Sequence, residues 1–203
     1  MANHRSMLFI WDIIGTFFFC LSGALAAKQV NFDYLGLFLM ALITGTGGGV
    51  IRSILIGDTP PAILTDPIYI IVAMLAVPIA IYFPDAVLKF RRQVSVIDAL
   101  GLGIFACIGA RVSLDNGLAW WAALGMGAVS ATFGGVLRDI LRNEVPLIFR
   151  KEIYATAAMF GAGLMMILDQ LGMDQQHSMF IAAIAAATVR LIAIKFALNA
   201  SEA

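Results

Sequence analysis

The chain has 203 residues, 61% of them hydrophobic and 13% charged, and its 13 basic side chains balance 13 acidic ones. A soluble domain is typically about 45–50% apolar and about 25% charged, so this composition points to an integral membrane protein. It excludes disorder, which needs low hydrophobicity and high net charge, and it gives no basic excess for a nucleic-acid backbone.

Seven apolar runs approach the roughly 20 residues a spanning helix needs: 7–27, 34–56, 66–83, 95–113, 118–141, 153–170 and 178–198. The runs are continuous, without the strict alternation of a membrane barrel. Short connections hold most of the helix breakers. Asp58-Thr59-Pro60-Pro61 follows the second run, Pro84-Asp85 closes the third, and Asp115-Asn116-Gly117 follows the fourth. The expected fold is an all-α polytopic membrane protein of one domain, 1–203, with seven transmembrane helices. Arg5, an apolar stretch and Ala24-Leu25-Ala26 have the parts of a secretory signal, but Asp12 inside the stretch argues against cleavage. Lys28, Lys89, Arg91, Arg92, Arg142, Arg150, Lys151 and Lys195 fall on one side of the seven-span arrangement, with Arg5 and Arg111 on the other. That bias puts the N-terminus outside and the C-terminus in the cytoplasm, in a cell (inner) membrane. Arg190 and Lys195 are expected to snorkel to the interface, and Trp11, Trp120 and Trp121 suit an aromatic belt.

Self-similarity is the most informative feature. A shift of 86 residues lays Asp12 on Asp98, Gly15 on Gly101, Phe19 on Phe105 and Gly23-Ala24 on Gly109-Ala110. It continues with Gly48-Gly49-Val50 on Gly134-Gly135-Val136, Arg52 on Arg138 and Pro60 on Pro146. Each copy holds three spans (repeat 1 about 7–83, repeat 2 about 94–170), so the copies have opposite topology, and a final helix (about 178–198) lies outside them. Inverted repeats of this kind characterise many transport proteins, with the pathway between the halves.

The middle helix of each copy carries glycines followed by an arginine: Gly47-Gly48-Gly49-Val50-Ile51-Arg52 and Gly134-Gly135-Val136-Leu137-Arg138. Glycine clusters favour a kink or break, and freed backbone groups in a membrane must face protein or a water-lined cavity. Two broken helices facing each other across a pore are therefore expected, with Thr44, Thr46, Ser130 and Thr132 available to a dehydrated solute. Close helix packing through small residues is the competing reading. Arginines at membrane depth face a bundle interior or water. Asp12 and Asp98 are their expected partners, as two ion pairs or as heads lining one funnel. Asp139 has no acidic counterpart, because Ser53 holds the equivalent position. Among cofactor and enzyme signals there is no Walker sequence, GxSxG, HExxH or His/Cys set. No catalytic residue, metal or cofactor is expected, bound lipid aside.

On these paired glycine–arginine motifs, with Gly57-Asp58-Thr59-Pro60-Pro61 and Glu144-Val145-Pro146, the chain resembles the prokaryotic branch of the trimeric intracellular cation (TRIC) channel family. The resemblance implies a homotrimer with a pore in each subunit, potassium-permeable and lined by kinked second and fifth helices. The pore-lining positions it implies are Gly47 to Gly49, Gly134, Gly135, Arg52 and Arg138. Two arginines on a cation pathway fit simple attraction poorly, which keeps a second class open. That class is a secondary transporter of a small neutral or zwitterionic solute such as glycine, with Arg on its carboxylate and Asp on its amine.

Overall fold

The structure, a computed structural model, describes the backbone of residues 2–82, 92–150 and 153–196, and side chains over 7–82, 94–150 and 153–196. Arg5, Lys89, Arg91, Arg92 and Lys151, which carry part of the charge bias, and Pro84-Asp85 lie outside the described side chains. The helices are α1 (Ala2–Gln29), α2 (Tyr34–Ile56), α3 (Ala62–Thr65), α4 (Ile68–Tyr82) and α5 (Arg92–Asp115), followed by α6 (Trp120–Leu141), α7 (Leu147–Arg150), α8 (Ala155–Gln170) and α9 (Gln175–Phe196). Among the described residues there is no strand. Five helices (α1, α2, α5, α6 and α9) are long and apolar enough to cross a membrane; α4 and α8 are apolar but shorter, at 15 and 16 residues. Each of the seven apolar runs thus falls on a helix, and α3 and α7 are single turns in the connections.

Packing repeats with the sequence. α1 packs on α2 and α4, and α5 packs on α6 and α8; the trios meet through α1 on α5 and α2 on α6. Gly15 faces the Phe105 ring and Gly101 faces the Phe19 ring, and the two rings stack with centroids 5.3 Å apart. This reciprocal contact makes α1 and α5 antiparallel, so Asp12 and Asp98, near the two helix starts, lie at opposite ends of the bundle. α9 packs on α5 and α8, on the side of the second trio. The interfaces are built on alanine: Ala24, Ala26, Ala41, Ala73, Ala106, Ala131, Ala158 and Ala182 are all fully buried. Small side chains let backbones approach, and close packing is what holds helices together in lipid.

The ends of α2 and α6 show how local sequence repeats local structure. Gly57 (φ 77°) and Asn143 (φ 57°), equivalent under the 86-residue shift, are both left-handed. The amide of Gly57 donates to the Ile54 carbonyl and that of Asn143 to the Ile140 carbonyl. The following residues, Asp58 and Glu144, donate to the carbonyls of Ser53 and Asp139. Both helices therefore stop with the same left-handed C-terminal motif, at residues whose small or amide side chains tolerate it. Lys28, read from sequence as a topology determinant, also acts locally. Its ammonium donates to the carbonyls of Ala80 (3.2 Å) and Ile81 (2.9 Å), capping the last turn of α4.

Candidate functional site

The Asp98 end is a buried charge cluster centred on Arg138. Arg138 Nη1 donates to Asp98 Oδ1 at 2.5 Å and to Ser22 Oγ at 2.7 Å, while Nε donates to Asp139 Oδ1 at 2.9 Å. The Asp98 and Arg138 side chains are each 1% exposed. Asp139 uses its second oxygen to accept the amide of Leu147 at 3.0 Å, which fastens α7 to the end of α6. Gly135 lies against this cluster: a Cβ there would meet the Tyr154 hydroxyl at 2.6 Å, Arg138 Nη2 at 3.5 Å and Asp98 Oδ1 at 3.6 Å. A cleft of about 730 Å³, lined by Arg138, Asp139, Arg142, Glu144 and Leu147 among others, opens beside it.

The Asp12 end is built differently. Asp12 and Arg52 line one cavity, with Thr16, Thr46, Gly49 and Tyr69, but among the described residues they form no contact ion pair. Asp12 Oδ2 instead accepts the Tyr69 hydroxyl at 2.7 Å. Arg52 keeps one long bond, Nη1 to Ser130 Oγ at 3.4 Å, and its Nε is buried without a partner. The expected pair of equivalent Asp–Arg contacts is therefore closed at one end only. The repeat explains why. The three acceptors around Arg138 are Asp98, Asp139 and Ser22, and their counterparts around Arg52 are Asp12, Ser53 and Ile108. One acid of two survives, the hydroxyl becomes an alkyl group, and Tyr69 takes the remaining carboxylate. The Asp139–Leu147 tie has no counterpart either, because position 61 is Pro and has no amide hydrogen to donate.

Between the two ends, α2 crosses α6 backbone to backbone. A Cβ on Gly48 would run into the Ser130 carbonyl, and one on Gly134 would run into the Thr44 carbonyl; Gly47 lies over Leu137 and the Gly134 Cα. Both helices are uninterrupted through their glycines, so the expected helix break is absent. The physical reason is the crossing itself: the partner helix fills the space left by the missing side chains, and the helical hydrogen bonds are kept. Thr46 Oγ1 donates to the Leu42 carbonyl at 2.7 Å and Thr132 Oγ1 to the Ala128 carbonyl at 2.8 Å, each bonding back onto its own helix. The Thr44 hydroxyl is buried without a partner. The candidate residues thus sort into three places. Asp98, Gly135, Arg138 and Asp139 form one end, and Asp12, Thr46, Gly49 and Arg52 surround the other cavity. Thr44, Gly47, Gly48, Ser130 and Gly134 form the crossing, and Thr132 is buried beside it.

A family model described as "Glycine transporter" matches the chain twice, over residues 9–85 and 95–170. The UPF0126 membrane protein of Deinococcus radiodurans is 38% identical over 77% of this chain and 74% of its own length. The UPF0126 inner membrane protein YadS of Escherichia coli is 35% identical over 76% of each chain. The crystal structure of the TRIC trimeric intracellular cation channel orthologue from Rhodobacter sphaeroides has a TM-score of 0.88 at 34% identity, covering 94% of this chain and 98% of that one. The chain belongs to the prokaryotic TRIC family.

Membership of the TRIC family makes the chain a membrane protein, and it upholds the resemblance carried by the paired glycine–arginine motifs. The two family-model matches begin 86 residues apart and end 85 apart, which locates what sequence reading missed. Tyr69, which takes Asp12, and Tyr154, whose hydroxyl lies beside Asp98, are equivalent only if the second copy is one residue shorter after its proline. With that gap Ile68-Tyr69 aligns with Ile153-Tyr154 and Ala73-Met74 with Ala158-Met159. Two arginines also require correction. Arg190 does not snorkel: it is 4% exposed, its guanidinium sits 4.9 Å over the Tyr154 ring, and Nη1 donates to the Ile153 carbonyl at 3.2 Å. Arg111 is no exposed topology charge in this TRIC-family fold, because it pairs with Asp169 at 2.6 Å. Asp169 also accepts the Ser178 hydroxyl, joining α5, α8 and α9.

Proposed function

We propose that the chain is a monovalent-cation channel, permeable to potassium, that works as a homotrimer with one pore through each subunit. The pathway runs between α2 and α6, from the Asp12–Arg52 cavity to the Asp98–Arg138 cleft, in a single seven-span domain of two inverted repeats. Its lining is Gly47, Gly48, Gly49, Gly134, Gly135, Arg52 and Arg138, flanked by Asp12, Asp98, Asp139 and the hydroxyls of Thr44, Thr46, Ser130 and Thr132. The N-terminus faces outward and the C-terminus faces the cytoplasm of an inner membrane.

One observation carries this reading: two spaces, each bounded by an arginine of the repeat, lie towards opposite ends of the bundle, with the Gly48–Gly134 crossing and the Phe19–Phe105 stack in the bundle between α1, α2, α5 and α6. Charged groups inside a membrane protein are costly and mark ion or substrate pathways. The cation-channel description of the Rhodobacter sphaeroides orthologue supports the reading. On it, the present conformation is closed. Conduction requires α2 and α6 to part at the glycines and Arg138 to leave its three acceptors.

A second reading, export or uptake of a zwitterion such as glycine, draws on the family model's description and on Arg52 and Asp12, which face one cavity without pairing. The cavity, at about 20 Å³, has room for a water molecule and not for an amino acid. Recording from the purified protein in planar bilayers under a KCl gradient separates the two. A channel gives unitary currents that reverse near the potassium potential, and a transporter gives saturable glycine uptake without unitary currents.

A further inference from the structure

The Asp98 cluster holds more charge than its lock uses. Asp98 and Asp139 carry two formal negative charges; Arg138 contacts both but offsets only one, and a second cation, Arg190, is buried against Tyr154 on the one helix that the repeat does not supply, touching neither carboxylate. Three groups there have unspent hydrogen-bonding capacity: the Tyr154 hydroxyl, Asp98 Oδ2 and Arg190 Nε are all buried without a partner. Buried polar groups are ordinarily satisfied, and those that are not need an explanation. These three are complementary, since two donors stand near one acceptor. The Tyr154 hydroxyl and Asp98 lie side by side against Gly135, and the Arg190 guanidinium sits over the ring of that same tyrosine, 4.9 Å from its centroid.

We propose that Arg190 is a stand-by counter-ion, which with Tyr154 takes over Asp98 when Arg138 leaves it, so that the lock between α5 and α6 can open without stranding a buried carboxylate. This rests on the channel reading given above. Removing one partner from a buried ion pair is strongly unfavourable because the other charge is left uncompensated, and at the Asp98 end water offers no substitute, Asp98 being 0% exposed. The opposite end makes the same point by contrast. Asp12 is only partly buried, it is held by Tyr69 rather than by Arg52, and no helix equivalent to α9 packs there. Where a tyrosine holds the carboxylate the fold supplies no second arginine; where an arginine must leave it, α9 brings one. Arg190 is thus a positioning residue for the gate, acting through Asp98.

Single-channel recording of the full-length protein in planar bilayers under a KCl gradient tests this. Arg190→Gln is expected to lower open probability about a hundredfold or more, the low end of what an uncompensated buried charge implies, and Arg190→Lys to restore most of it. On an Asp98→Asn background Arg190→Gln is expected to change nothing further, because the carboxylate that Arg190 takes over is gone and Asp139 keeps the Leu147 amide. Unchanged open probability in Arg190→Gln, or an equal fall on both backgrounds, overturns the proposal while leaving the channel reading intact; a merely structural arginine would act regardless of the charge at position 98. If Arg190→Gln does not insert, Tyr154→Phe decides. It keeps the ring under the guanidinium and removes the hydroxyl, and a fall of about fivefold or more is expected for a lost bond to a charged acceptor, against no change if the idea is wrong. A wild-type protein without unitary currents overturns the channel reading and this inference together.

Discussion

Substituting alanine at Gly48 or Gly134 separates close packing from kinking as the purpose of these glycines. A Cβ at Gly48 would sit 3.0 Å from the Ser130 carbonyl carbon and closer still to its oxygen, and one at Gly134 would sit 3.2 Å from the Thr44 carbonyl carbon. Ordinary carbon–carbon contact is about 3.5–4.0 Å, and both obstacles are backbone, so neither can swing aside. Either substitution must push α2 and α6 apart by up to about 1 Å, at the roughly 1–3 kcal/mol that overpacking costs. Once the helices have parted for one methyl group, the second finds room. Gly48→Ala with Gly134→Ala should therefore cost less than the sum of the singles by about 1 kcal/mol or more, as contacting sites do. Gly49→Ala is the control: its Cβ would meet nothing nearer than Arg52 Nη2 at 3.8 Å, and its stability should stay within about 0.5 kcal/mol of wild type. Denaturant titration in detergent micelles, followed by circular dichroism, measures all four. Strict additivity, or a Gly48→Ala protein as stable as Gly49→Ala, would refute the close-approach account. In the channel reading the same substitutions also raise open probability, since they favour separated helices.

Other outcomes follow from the two unequal ends. Asp98→Asn breaks a fully buried pair and should destabilise the protein by about 3 kcal/mol or more, whereas Asp12→Asn weakens one hydrogen bond and should cost about 1–2 kcal/mol; the same titration compares them. Tyr69→Phe frees Asp12 Oδ2 and should let Asp12 turn toward Arg52, so that Arg52→Gln becomes more costly on the Tyr69→Phe background than on wild type, which a double-mutant cycle reads directly. Arg111→Gln leaves Asp169 with Ser178 alone and should cost about 1–3 kcal/mol, detected as earlier unfolding and as faster amide exchange where α8 and α9 meet α5.

Hydropathy and the repeat made much of this fold readable in advance. The apolar runs fall on helices, to within a few residues at each end, because in lipid only a helix or a closed barrel satisfies its backbone and continuous runs lack a barrel's alternation. The Asp98–Arg138 contact followed from two ionisable residues recurring at one offset. What stayed hidden were contacts set by third helices and by substitutions within the repeat. Tyr69 could not be placed on Asp12, since an ungapped shift of 86 ends at the prolines and misses the one-residue deletion beyond them. The fate of the glycines was open because a Gly–Gly pair favours bending and close approach equally, and only the partner backbone decides between them. Arg190 looked like an end-of-helix charge because its neighbours on α9 are apolar; its stacking ring comes from the start of α8, 36 residues earlier. The partner of Arg111 was hidden for the same reason, its acid lying on α8.

The placement of α9 on one trio alone has a consequence for direction. Two identical inverted copies would make a device with interchangeable faces, unable to distinguish flow one way from flow the other. With the substitutions between the copies and α9 added, one face has an arginine held by a single long bond, and the other a triply held arginine with a second buried cation nearby. In the channel reading the energy profile along the path then has no mirror symmetry, and the current is expected to rectify.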